Sequence, residues 1–150
     1  MKHTIMAIIG ALGAAISTAF GGWTSGLTTL IVFMAIDYAS GLIVAGVFHK
    51  SGKSETGRLE SGAGWKGLIR KGMILLIVLI ACRLDMLLGT TYIRDAVIIA
   101  FCANELLSIT ENAGLMGVPI PKAITSAIEI LKKREETEAQ TDHPPDGEEE

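Results

Sequence analysis

The stretch TIMAIIGALGAAISTAFGGWTSGLTTLIVFMAI, residues 4–36, carries no charged side chain. About 20 apolar residues already cross the hydrocarbon core of a bilayer, and a small soluble domain has no core able to hide a longer run. The stretch therefore predicts a membrane protein. As one helix it would be about 50 Å long at 1.5 Å per residue, too long for the membrane. Gly21-Gly22-Trp23-Thr24-Ser25-Gly26 supplies a break, because clustered glycines mark turns. The reading is a helical hairpin, with a first span over residues 4–21 and a second over 27–48.

The totals agree with this reading. Of 150 residues, 49% are hydrophobic, and the mean hydropathy is +0.45. That is more apolar surface than one soluble domain of this size can bury. The formal net charge of −3 hides a segregation, with the acids clustered in residues 135–150 and a mildly basic chain before them. Such a tail implies solvation, and no nucleic-acid partner is expected. Cys82 and Cys102 fall in apolar segments and read as small hydrophobes. His3, His49 and His143 are dispersed, so no metal site is expected, nor any cofactor. Without a Ser-His-Asp set or a phosphate-binding glycine loop, an enzyme is not expected either.

Beyond the hairpin, residues 49–71 read as a flexible loop, rich in Gly and Ser and carrying Lys50, Lys53, Arg58, Lys66, Arg70 and Lys71. A third span follows over 72–89. A fourth, over 93–112, is diluted by Arg94, Asp95, Asn104, Glu105 and Glu111 and either crosses the membrane or lies on it. Gly117-Val118-Pro119-Ile120-Pro121 ends that helix, since proline removes a donor and restricts its predecessor. Ile124, Ala127, Ile128 and Leu131 then recur at helical spacing, predicting an amphipathic helix over 122–134 on the membrane surface. The acidic tail, 135–150, is expected to be disordered.

The expected fold is an all-α membrane domain over residues 1–134, with four apolar helices in two hairpins, the amphipathic helix and the tail. The positive-inside rule places the basic loop and Lys132-Lys133-Arg134 in the cytoplasm, giving four crossings with both termini inside. Trp65 then marks the inner interface, and Trp23 and Tyr92 the outer. Lys2-His3 and Ser17-Thr18-Ala19 also imitate a cleaved signal peptide. The apolar stretch runs past any such cleavage point, so cleavage would still leave a membrane protein.

Three groups of residues stand out. The first span carries small residues at four-residue spacing: Ala7, Ala11, Ala15 and Ala19 on one stripe, Gly10, Ala14, Thr18 and Gly22 on the next. Such stripes let helix backbones approach closely in lipid, within one chain or between copies. Asp37 in the second span, flanked by Ser40 and the packing glycine Gly41, is costly unless paired or hydrated. Arg83 is its expected partner, or both face a shared watery interior, because each lies eleven residues from an edge of the basic loop, about 16 Å deep at helical rise. Asp85 competes for Arg83. In the fourth span, Glu105 and Asn104 each share a face with Ser108, and Glu111 and Asn112 lie near the helix end.

Asn104-Glu105-Leu106-Leu107-Ser108-Ile109, Glu111-Asn112-Ala113 and Gly117-Val118-Pro119-Ile120-Pro121 resemble the signature of the phage-lysis and toxin-secretion holin family. Asp37-Tyr38-Ala39-Ser40-Gly41 and Ser61 with Gly67-Leu68-Ile69-Arg70-Lys71 resemble two further motifs of that family, in order, and Asp85 falls where it carries an acid. The likeness covers residues 30–131. The departures are Ser40 in place of threonine, Arg83 beside Asp85, and the long tail. The resemblance implies a phage or prophage protein of the bacterial inner membrane that oligomerises at a set time. Its lesions would release endolysin, its functional partner, or in some loci a toxin. Met6 offers a second start that would drop Lys2, and many holins have a longer, inhibitory form.

The competing readings are a small ion or solute transporter using Asp37, Arg83 and Glu105, and a scaffold that recruits a partner through its tail.

Overall fold

A computed structural model describes residues 2–52 and 61–141. It contains five α-helices: α1 (Lys2–Ala19), α2 (Ser25–Ile43), α3 (Ser61–Leu88), α4 (Tyr92–Leu115) and α5 (Lys122–Thr141). A π-helical stretch, Val44–Phe48, prolongs α2. Among the described residues there is no strand. Two helices among the described residues, α1 and the prolonged α2, are long and apolar enough to cross a bilayer.

The breaks fall where turn chemistry demands them. Between α1 and α2, Thr24 caps the second helix by accepting from the Leu27 N–H at 3.2 Å. Trp23 Nε1 donates to Thr28 Oγ1 at 2.8 Å beside it. At the end of α3, Gly89 takes a left-handed φ of +68°, and the Thr90 N–H returns to the Asp85 carbonyl at 2.9 Å. That bond closes the Schellman turn that joins α3 to α4. Gly117 (φ +79°) ends α4 in the same way, with Val118 N–H donating to the Ala113 carbonyl at 3.0 Å. Pro119 and Pro121 then carry the chain into α5.

Helix α4 is the centre of the molecule, packing against α2, α3 and α5. The shared core is Leu27, Leu30 and Met34 of α2, Ile74, Val78 and Cys82 of α3, and Ile98 and Cys102 of α4. A Cβ on Gly26 would lie 3.3 Å from Ile98 Cγ2, so α2 and α4 approach as closely as a glycine allows. Helix α1 stands apart: among the described residues it packs only against α3 and buries no residue.

Two boundaries and one packing arrangement differ from expectation. Helix α3 begins at Ser61, not near 72, and two glycines of this stretch, Gly64 and Gly67, serve packing rather than flexibility. Tyr38 of α2 lies against them, and a Cβ on Gly64 or Gly67 would meet its ring or hydroxyl at 3.7 Å. Helix α5 runs on to Thr141, into the segment expected to be disordered; the rest of that tail, and residues 53–60 of the basic loop, lie outside the described residues. Nor does α5 stand away from the bundle. Ala127, Ile128 and Leu131 turn toward α4, and Ile128 is buried, so most of the apolar face expected to meet lipid meets protein, while Ile124 stays exposed.

Candidate functional site

On α2, Leu27, Leu30, Met34 and Asp37 recur at helical spacing. The face that buries three apolar side chains therefore carries the carboxylate inward with them. On α4, Ile98, Cys102, Glu105 and Asn112 do the same. On α3, Lys71 stands three residues before Ile74 and seven before Val78, both buried. The three faces meet, and three charged side chains meet with them.

Lys71 Nζ donates to Asp37 Oδ2 at 2.8 Å and to Glu105 Oε2 at 2.5 Å. Asp37 is 7% exposed and Glu105 5%. Ser108 Oγ donates to Asp37 Oδ1 at 2.5 Å. Asn112 Nδ2 donates to the same oxygen at 3.1 Å and to Ser40 Oγ at 2.9 Å. A buried charge is tolerated only when it is paired and hydrogen-bonded, and here an ammonium bridges two carboxylates from different helices. The cluster lines a cavity of about 540 Å³, whose wall also includes Tyr38, Lys66, Arg70, Asn104 and Glu111. Chemically this is a clamp holding α2, α3 and α4 in register. Among the described residues, no group of three or more His, Cys, Asp or Glu could hold a metal ion.

Asp37 is thus bound to Lys71 and not to Arg83, its expected partner. The expectation measured depth from the end of an assumed loop at residue 71. Because α3 starts at Ser61, Lys71 lies ten residues inside the helix, opposite Asp37. Arg83 is twelve residues further on, and it is exposed rather than buried, with Nη1 3.3 Å from Met86 Sδ. Asp85 does not take Arg83 either. Its carboxylate accepts from Thr90 Oγ1 at 2.6 Å and from the Ile93 and Arg94 N–H groups at 3.1 and 2.9 Å. A carboxylate suits those free amides at the start of α4.

The other singled-out residues divide. Gly41 packs within the chain, a Cβ there lying 3.8 Å from Asn112 Nδ2. Gly10, Ala14 and Thr18 are exposed, and a Cβ on Gly10 would meet nothing within 4 Å. Gly22 belongs to the α1–α2 turn, at φ +101°, not to a packing stripe. Asn104 and Glu111 are exposed on the cavity rim, and Gly117, Pro119 and Pro121 shape the α4–α5 turn. Lys71 was the residue missed. Its signal was its register with Ile74, Val78, Cys82 and Asp85, which continues the buried face of α3 one turn upstream.

A model of the bacteriophage holin family matches residues 14–133. An uncharacterized protein of Halalkalibacterium halodurans is 40% identical over 127 residues, covering 81% of this chain and 88% of the relative. An uncharacterized 14.9 kDa protein of Clostridium perfringens is 38% identical over 125 residues, 82% of this chain and 89% of the relative. A protein of Bacillus phage phi105 named as a probable holin is 30% identical over 117 residues, 77% of this chain and 81% of the relative. No solved structure matches the chain.

Proposed function

The chain belongs to the bacteriophage holin family, and on that premise we propose that it accumulates in the bacterial inner membrane and oligomerises there. At a set time the assemblies open lesions through which a cytoplasmic endolysin, or in some loci a toxin, reaches the cell wall. The observation that carries this reading is α1: an apolar helix of membrane-spanning length that buries no residue and, among the described residues, has open space around Gly10 and Gly13. In lipid, close packing of small-residue faces drives association. Many weak contacts make assembly steep in copy number, as a timer requires.

The clamp of Lys71, Asp37 and Glu105 supports the same reading. It keeps three helices together as a unit that can be delivered intact to an assembly. The positive-inside rule orients that unit with both termini in the cytoplasm and four crossings. Collapse of the membrane potential would release residual restraint, each charge crossing it gaining about 2.3 kcal/mol per 100 mV. Met6 fits a second, shorter product that lacks Lys2, and Met6→Leu should then shift the lysis time.

The charge-lined cavity favours one other reading, a small ion or solute transporter. Inducible expression beside a cytoplasmic endolysin lacking a signal sequence separates the two. Abrupt lysis after a fixed delay is expected; slow toxicity or ion flux without enzyme release would replace the holin reading with the transporter.

A further inference from the structure

Helix α5 poses a problem that the bundle does not solve. It runs back along α4, so that Arg134 lines a cavity of about 490 Å³ with Tyr92, Arg94 and Asp95 of the first turn of α4. That cavity lies at the α1–α2 turn end, shared with Thr24 and Ser25, opposite the end that holds Lys66 and Arg70. At 20 residues the helix is about 30 Å long, the thickness of the hydrocarbon core. Its apolar edge rests on α4, while Lys122, Glu129, Lys132, Lys133 and Arg134 are exposed on its other sides. In that position Glu129, Lys132 and Lys133, between Lys122 at the inner end and Arg134 beside Tyr92 at the outer, would lie at membrane depth, where they are tolerated only in a watery interior or paired within protein.

We propose that the docked position of α5 is its position in the open lesion, where its charged face lines the water-filled opening. Before assembly, α5 lies at the cytoplasmic surface, and the Gly117-Val118-Pro119-Ile120-Pro121 turn is the joint about which it moves. Pro119 and Pro121 have no N–H to donate here, and the bonds holding the joint to the end of α4 are those of the Gly117 and Val118 N–H groups. Docking and opening are then one event: α5 can fold back only where copies have already exchanged lipid for water, and once there it stabilises the wet face. The inference rests on the lesion-forming reading.

The two positions differ by the width of the membrane, which makes cross-linking decisive. In a Cys82→Ala, Cys102→Ala background, Tyr92→Cys is combined with Arg134→Cys in the full chain. Because the two residues line one cavity rather than touch, cells are treated with a membrane-permeant bismaleimide long enough to span it, before and after the membrane potential is collapsed, and linked peptides are identified by mass spectrometry. A bond within one chain should rise above background only after enzyme release begins. No bond in cells that have released enzyme overturns the proposal, as does an equal yield before triggering. Asp95→Cys with Arg134→Cys gives a second pair, read in the same way, should the first fail to accumulate. Enzyme release is followed in those cultures and in parallel ones expressing the unsubstituted chain, whose failure to release enzyme would instead refute the lesion-forming reading.

Discussion

Lys71 and Asp37 are 34 residues apart in sequence, yet the ammonium of one lies 2.8 Å from the carboxylate of the other. Glu105 completes the bridge from a third helix. The bundle of α2, α3 and α4 is therefore locked by charge at one end, while the Asp85 carboxylate caps α4 at the other.

Removing the ammonium leaves two buried carboxylates facing each other. Lys71→Met should destabilise the bundle by about 3–5 kcal/mol, the usual cost of breaking a buried pair. Thermal unfolding in detergent measures this. Adding Asp37→Asn and Glu105→Gln should recover a large part of the loss, because no charge is then stranded.

Charge exchange distinguishes the observed partner from the expected one. Asp37→Lys with Lys71→Asp should restore part of the lysis activity that either single change abolishes. Asp37→Arg with Arg83→Asp should restore none, since Arg83 is exposed and far from the clamp. Lysis timing in induced cultures reads both.

At the far end, Asp85→Ala removes a cap from two amides and a partner from Thr90. It should cost about 1–2 kcal/mol, whereas Arg83→Ala should be close to neutral. Detergent unfolding again gives the comparison.

Glycines at two places should behave oppositely. Gly26→Ala presses a methyl group into Ile98, at 3.3 Å, and should cost about 1–3 kcal/mol as overpacking, relieved in part by Ile98→Val. Gly10→Leu meets open space and should leave the isolated protomer as stable as before. It should nonetheless weaken association between copies, seen as fewer cross-linked oligomers and delayed lysis.

Much of the fold was legible in the sequence because its boundaries are made by glycine and proline, whose backbone effects are local. Gly21-Gly22 and Gly117 to Pro121 ended helices where expected. The start of α3 was not legible, because glycines at 64 and 67 look like flexibility when their partner, Tyr38, is 26 residues or more away in sequence. That error carried into the site. With the loop drawn too long, Lys71 counted as a loop charge, and Asp37 was matched by depth to Arg83. The spacing Lys71, Ile74, Val78, Cys82, Asp85 held the right answer, but rotation about a helix axis shows only once the neighbouring faces are known. The docking of α5 was hidden for a related reason: an apolar stripe looks the same whether lipid or protein will cover it.

The central claim is that many copies associate through α1 until the bilayer admits a folded enzyme. Purified protein reconstituted at graded protein-to-lipid ratios into liposomes holding a small ion dye and an endolysin-sized protein tests it directly. The account predicts a sharp threshold above which both are released together, moved to higher ratios by Gly10→Leu. Liposomes that lose the dye in proportion to protein while keeping the enzyme, at every ratio, would contradict it.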